Sequence, residues 1–471
     1  AGLLALIGCS RPAPEEGTTA EALLPEEEPA EEETSGIKVI ENVGPEKNKT
    51  ISVRIVDENN PALPGREPTK VRGIYISGPM SGSTELFQNI LDSMEGTEIN
   101  TVVIDFKDDQ GRITCQIDSP VVTEIGACRP YVKDIKSLIS SLKERGLYVI
   151  ARVVAFRDPY LAEQKPEWSL HLADGSLYRD KQGMAWVDPY RIEVWDYLVE
   201  IASEAAAVGF DEVQFDYIRF STDVKADEVD YGPEAETVGK IDIITEFTQY
   251  IYEKLRPLGV YVAADVFGTV IENETDQQIV GQDYVKMAEY LDYICPMIYP
   301  SHYRNGSYGI AVPDADPYHT IYGACSASVQ ELGVLPEENR AHVRAWLQSF
   351  TASWVPGHIS YGPQQIRAQI KGAYDAGYDE WILWNAAVKY QRDSLLTDEE
   401  AEAERQQWET EKEIKKQEAA AQEKTAEQQE QVPQEETPQD KTAGTVPEGI
   451  EGQPTGTDPD ASTGQQAVTA Q

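Results

Sequence analysis

Between about Lys70 and Tyr390 one alternation recurs, and it limits the folds open to this chain more than any other feature. Short runs rich in β-branched and aromatic residues appear as VRGIYIS (71–77), TVVIDFKDD (101–109), LYVIARVVAF (147–156), EVQFDYIRF (212–220), VYVAADVFG (260–268), DYICPMIYP (292–300), RAWLQSF (344–350) and EWILWNA (380–386). Most are separated by stretches with apolar residues at helical spacing. In YVKDIKSLISSLKERG, for example, Val132, Ile135, Leu138, Ile139 and Leu142 fall on one face. Glycines at 146, 209, 259 and 377 stand just before the next strand, where a helix C-terminus favours a residue that adopts positive φ. Eight strand–helix units predict an α/β fold, a (β/α)8 TIM barrel, over residues 70–391. A doubly wound open sheet is the alternative, but no glycine-rich phosphate fingerprint follows the first strand.

In a barrel of this kind the chemistry gathers at the C-terminal ends of the strands. Strand alternation then sorts the polar residues there into faces. The run EVQFDYIRF puts Gln214 and Asp216 on one face and Phe215 and Tyr217 on the other, so an apolar strand carries a carboxylate inward. The fifth run offers only Asp265 among small and apolar neighbours, at a height equivalent to Asp216. Two inward carboxyls held close split their pKa values, one protonated and one ionised, which makes an acid and a nucleophile or base. Each could instead be a structural carboxylate held by Arg152 or Lys107. The second run aims Asp105 and Lys107 together, Asp105 to hold a substrate hydroxyl and Lys107 to bias ionisation. Tyr75, Tyr299, Gln348 and Trp384 complete the strand ends as substrate contacts, with His302 in the loop after the sixth. Arg219 points away from Asp216 if the strand stays regular. Asp188, followed by Pro, reads as the N-cap of the next helix. The long connection 157–188 carries Tyr160, Trp168, His171, Tyr178 and Trp186, which either wall the cleft or pack over the barrel.

The two ends differ in kind from this middle. The chain of 471 residues carries 82 acidic against 40 basic residues, and much of the excess lies in Pro- and Glu-rich segments at 10–69 and 392–471. Such composition buries too little apolar surface to offset ordering entropy, so both are expected to be disordered, a tether and a tail. Within the tail, Asp398–Gln429 reads as a transient charged helix. An acidic chain without a Lys/Arg cluster is not expected to bind nucleic acid. The opening AGLLALIGCS resembles the end of a lipoprotein signal peptide, with residues 1–9 its remnant and Cys9 the lipid-bearing residue. That makes the membrane a partner through a lipid anchor and the location extracytoplasmic. Of the other cysteines, Cys115 and Cys128 flank one loop and are expected to pair, while Cys295 and Cys325 are left open. The five histidines are scattered, with no HExxH or Cys/His cluster, so no metal or other cofactor is expected.

Taken together, VRGIYIS, NTVVIDFKDDQG, YVIARVVAFRDP, WVDPY, GFDEVQFDYIRF, VAADVFG and DYICPMIYPSHY resemble a family of exported bacterial proteins assigned as glycoside hydrolases, with an α-amylase-like barrel. The resemblance covers residues 70–390. It implies cleavage of an extracellular or cell-wall polysaccharide, with Asp216 at the strand-four position of the nucleophile. Related barrels place a Glu acid on strand five, where this chain has Asp265, one methylene shorter. Two short carboxyls on adjacent strands about 4.8 Å apart lean toward the separation of about 5–5.5 Å that retaining glycosidases use. The rival reading is a non-catalytic carbohydrate-binding or cell-envelope scaffold barrel. A metabolic fatty-acid probe is expected to label the chain, and Cys9→Ala to abolish that labelling.

Overall fold

The computed structural model describes residues 37–41, 53–57, 69–223 and 228–430. From residue 69 onward the expected alternation is realised. Strands β1 (Arg72–Ile76), β2 (Thr101–Lys107), β3 (Tyr148–Val154), β4 (Glu212–Asp216), β5 (Tyr261–Phe267), β6 (Tyr293–Ile298), β7 (Ala345–Gln348) and β8 (Trp381–Trp384) run parallel, each bonded to the next. The β8–β1 pairing, Leu383 beside Ile74, closes the sheet into a barrel. Helices lie between the strands. In Ile135–Glu144, Asp134 accepts the Ser137 N–H as N-cap, and Ile135, Ile139 and Leu142 turn inward. The four glycines expected to end helices all take positive φ, at 79°, 106°, 79° and 105° for Gly146, Gly209, Gly259 and Gly377.

The barrel floor is ionic. Arg344, just before β7, donates to both Glu212 oxygens at 2.8 and 3.0 Å and to Glu380 at 3.0 Å. Its guanidinium lies over the Tyr293 ring at 3.9 Å, and Tyr148 donates to Glu212 at 3.0 Å. Pairing and hydrogen bonding of this kind offset the cost of taking the charges out of water.

Three local departures from the expected pattern matter above that floor. Strand β2 shifts register between Asp105, beside Arg152, and Lys107, beside Val153. This bulge turns Lys107 off the face that Asp105 occupies. Strand β4 stops at Asp216 and does not run on to Phe220. There the Asp216 carboxylate accepts the Tyr217 N–H at 2.6 Å, and Tyr217 enters the left-handed region at φ 56°. The helix after the long connection begins at Ile192, with Arg191 as its N-cap. Asp188 therefore caps only the preceding turn, through the Tyr190 N–H at 3.0 Å.

The described residues of the two ends carry regular structure, including a helix where a charged helix was expected in the tail. Inside the stretch taken as tether, Ile37–Glu41 and Val53–Asp57 pair as an antiparallel ribbon, because both segments are rich in β-branched residues. In the tail, Asp398–Glu430 is one 33-residue helix whose first turns dock on the barrel. Ala401 and Trp408 are buried, Glu404 pairs with Arg367, and Glu411 lies 3.7 Å from Lys371. These positions recur every three or four residues, one helix face. The folded domain therefore runs beyond residue 391. The Trp408 indole meets Tyr374 edge-on at 5.5 Å. Trp408→Ala should lower stability by about 3 kcal/mol, read as a shifted urea midpoint.

Candidate active site

The site is built around Arg152. Its register on β3 places it between Asp105 on β2 and Gln214 on β4. Its guanidinium donates to Asp105 Oδ1 at 2.7 Å, to Asp216 Oδ2 at 2.6 and 3.1 Å, and to both oxygens of Asp109 at 3.3 Å. Tyr75 donates its hydroxyl to the free Asp105 oxygen at 2.6 Å. Below the guanidinium, the Tyr75 and Trp384 rings lie 4.3 Å apart and take its charge at 5.8 and 5.5 Å. Three carboxylates and two aromatic rings thus share one cation.

Asp265 completes the cluster. The β4–β5 register pairs Phe215 with Ala264, so one further step sets Asp216 beside Asp265. Trp346 reaches over from β7 and donates its indole N–H to Asp265 at 2.6 Å. Burial, then the negative Asp216, push the Asp265 carboxyl well above the usual range. Asp105 is raised to about 6, chiefly by burial, with Arg152 opposing. Burial also acts on Asp109, but Arg152 outweighs it and holds that carboxyl below its ordinary value. The cluster therefore sets a carboxyl with a raised pKa beside one clamped by a guanidinium.

Of the residues expected at the site, Tyr75, Asp105, Asp216, Asp265 and Trp384 are brought together. Tyr299 is buried near both Asp265 and Asp216, whose charges add to burial in raising its pKa. His302 stays exposed in the loop after β6, with its ring 5.3 Å from Tyr299. Three expected residues are elsewhere. Lys107, turned by the bulge, is fully buried against Asp158 at 2.8 Å and the Val154 carbonyl at 2.6 Å. Gln214 is one step below Asp216, fully buried beside the Cys295 thiol. Gln348 is consumed by loop contacts, donating to Asp314 at 2.9 Å and accepting from Ser301 N at 3.0 Å.

Sequence reasoning missed Asp109, Trp346 and Trp354. Asp109 follows the bulge, so strand alternation did not reach it. Trp346 shares the face of Gln348 two residues on, which was signal enough. Trp354, 59 % exposed, stacks on Phe350 at 6.0 Å, and Phe350 meets Tyr299 at the same distance, an aromatic path out of the mouth. The aromatics of the long connection mostly pack: Trp186 and Tyr178 are buried, and Tyr160 carries the Arg112 guanidinium at 3.9 Å. Cys115, Cys128, Cys295 and Cys325 are all free thiols, so the expected Cys115–Cys128 pair is not formed. Among the described residues no group of three or more His, Cys, Asp or Glu could hold a metal. No helix among them is long and apolar enough to cross a membrane. Cys9 lies outside the described residues.

With this geometry in hand, comparison with known proteins is informative. A family model described as "Putative glycosyl hydrolase domain" matches residues 73–390. No curated protein matches the chain. Among solved structures, a hypothetical protein from Ruminiclostridium thermocellum is 38% identical over 41% of this chain and 97% of its own, with a TM-score of 0.38. The glycoside hydrolase domain of PgaB (BpsB) from Bordetella bronchiseptica is 14% identical, covering 70% of this chain and 99% of that one, with a TM-score of 0.50. An α-galactosidase from Thermus thermophilus is 14% identical over 73% of this chain and 62% of its own, at a TM-score of 0.43. At such identity the PgaB likeness supports the fold alone.

The raised Asp105 has a measurable consequence. Its unfolded carboxyl titrates near 3.9 and its folded one at about 6, so the folded state holds the proton more tightly. Its contribution to stability is full below about pH 4 and is lost as pH rises through about 6. Urea unfolding across that window should show the fall in the wild type. The wild-type minus Asp105→Asn difference should carry it.

Proposed function

Because the chain belongs to the glycosyl hydrolase family matched over residues 73–390, we propose that it cleaves glycosidic bonds by a two-carboxylate mechanism at Asp216 and Asp265. The observation that carries this reading is the split between the two neighbours. Arg152 holds Asp216 by two hydrogen bonds, while burial and the neighbouring Asp216 push the Asp265 carboxyl well above its usual range.

The chemistry follows from those states. Asp265 gives its proton to the glycosidic oxygen as the C1–O bond breaks. Positive charge building at C1 meets the Asp216 carboxylate, which forms the covalent glycosyl intermediate. Water then attacks C1, passing its proton to Asp265 and releasing Asp216. Asp109, held ionised and with its side chain 35 % exposed, accepts a substrate hydroxyl at the mouth. The path Tyr299–Phe350–Trp354 offers apolar faces for further sugar rings. The substrate in this reading is an extracellular or cell-wall polysaccharide, met by a barrel anchored outside the cytoplasm through Cys9. The LIGC run and the acidic, Pro-rich stretch after it support that placement.

One observation favours the rival, a barrel that binds glycan without cutting it. Asp265 is only 1 % exposed, and the Trp346 N–H favours its anion. Turnover of a glycan panel decides between them. Asp216→Asn should lose about 10³-fold or more in kcat while still binding; a wild type that binds and never cleaves overturns the hydrolase. In a retaining enzyme, azide should restore turnover to Asp216→Ala and give a glycosyl azide of inverted configuration. Asp265→Ala should lose about 10²–10⁴-fold on unactivated glycosides and far less on those with good leaving groups. Equal losses on both would remove Asp265 as the acid.

A further inference from the structure

The break at the end of β4 sends one residue to a place that regular alternation would deny it. Past Tyr217, the Arg219 guanidinium lies over three rings, Phe267 at 4.4 Å, Tyr217 at 4.9 Å and Trp186 at 5.2 Å. Tyr217 directly follows Asp216, and Phe267 stands two residues beyond Asp265 on the same face of β5. The cation therefore rests on the mouth side of the acid pair, held by rings from the two strands that carry it.

Arg219 differs from the other buried arginines of the barrel. Arg152 has three carboxylate partners, Arg344 two, and Arg157 pairs with Asp180 at 2.8 Å. Arg219 is 9 % exposed, and its Nη1 donates to the Phe220 carbonyl at 2.9 Å. Among the described residues no carboxylate pairs with it. Burial lowers its pKa, with Tyr217 and Asp216 opposing. Ring faces offset part of the cost of burying a cation, but a buried guanidinium is stabilised most by an anion that takes its N–H edge.

We propose that Arg219 is the anion-recognition residue of the cleft, and that the glycan carries a carboxylate on a ring bound beside the scissile bond. A carboxylate matches the planar guanidinium edge with two parallel hydrogen bonds. Asp109, ionised and partly exposed just past β2, disfavours an acidic group on its own side. This rests on the cleft being the glycan site, as the hydrolase reading has it.

The test is calorimetric binding to the full-length Asp216→Asn protein, so that its outcome does not depend on turnover. The probes are oligogalacturonate, oligoguluronate and hyaluronan oligosaccharides, each beside its carboxyl-reduced neutral counterpart, with a carrageenan oligosaccharide as the sulfated control. At least one acid should bind about tenfold or more tighter than its reduced partner. Arg219→Gln in the same background should erase that difference and leave the neutral partner's affinity in place. Arg219→Lys, which keeps the charge and loses the fork, should fall between. Should Arg219→Gln not fold, as judged by circular dichroism, the Lys variant and the collapse of the acid preference in high salt serve instead. Equal binding of acid and reduced members, no binding by any acid, or a preference that survives Arg219→Gln overturns the proposal. Preference for the sulfated probe alone overturns the carboxylate assignment. Wild-type cleavage on the same panel separates the two readings. An acid preference without cleavage sinks the hydrolase and leaves Arg219, whereas cleavage with no acid preference does the reverse.

Discussion

The mouth of this barrel depends on a single guanidinium. Arg152 is fully enclosed by Asp105, Asp109 and Asp216 around its edge and by Tyr75 and Trp384 at its face. Remove it and three carboxyls on neighbouring strands would face one another with no cation between them, a state that buried acids escape only by taking up protons. The register fixes its position, because β3 pairs Arg152 with Asp105 on one side and Gln214 on the other. Asp105, Asp109 and Asp216 all bond to it, and Asp265 does not, its bond coming instead from the Trp346 indole.

The eight strands and the meeting of Asp216 with Asp265 were legible in the sequence because both follow from alternation, which a parallel sheet keeps strictly. What was not legible arises where alternation breaks. The β2 bulge swung Lys107 toward Asp158, a partner about 50 residues away whose own position depends on the next helix. Tyr217 at positive φ ended β4 early and freed Arg219 from the strand's phase. Gln348 has the look of a substrate contact, yet its amide is fixed by Asp314 and Ser301 from another loop, a pairing that only the folded chain creates. In the tail, Ala401, Glu404, Trp408 and Glu411 form a docking stripe, but three of the four are small or charged and the stripe is lost among neighbouring Glu and Gln.

The barrel contains two buried ionic layers. At the floor, Arg344 is held between Glu212 and Glu380, with Tyr148 and Tyr293 closing around them. At the mouth, Arg152 is outnumbered by carboxyls, while among the described residues Arg219 pairs with none.

The filled floor has a consequence for traffic. Because Tyr148, Glu212, Arg344 and Tyr293 fill the interior beneath Asp216 and Asp265, the described residues leave no second opening along the barrel axis. In the proposed hydrolase, a long glycan would therefore drape across the rim or enter by a free end, and its products would leave by the same mouth.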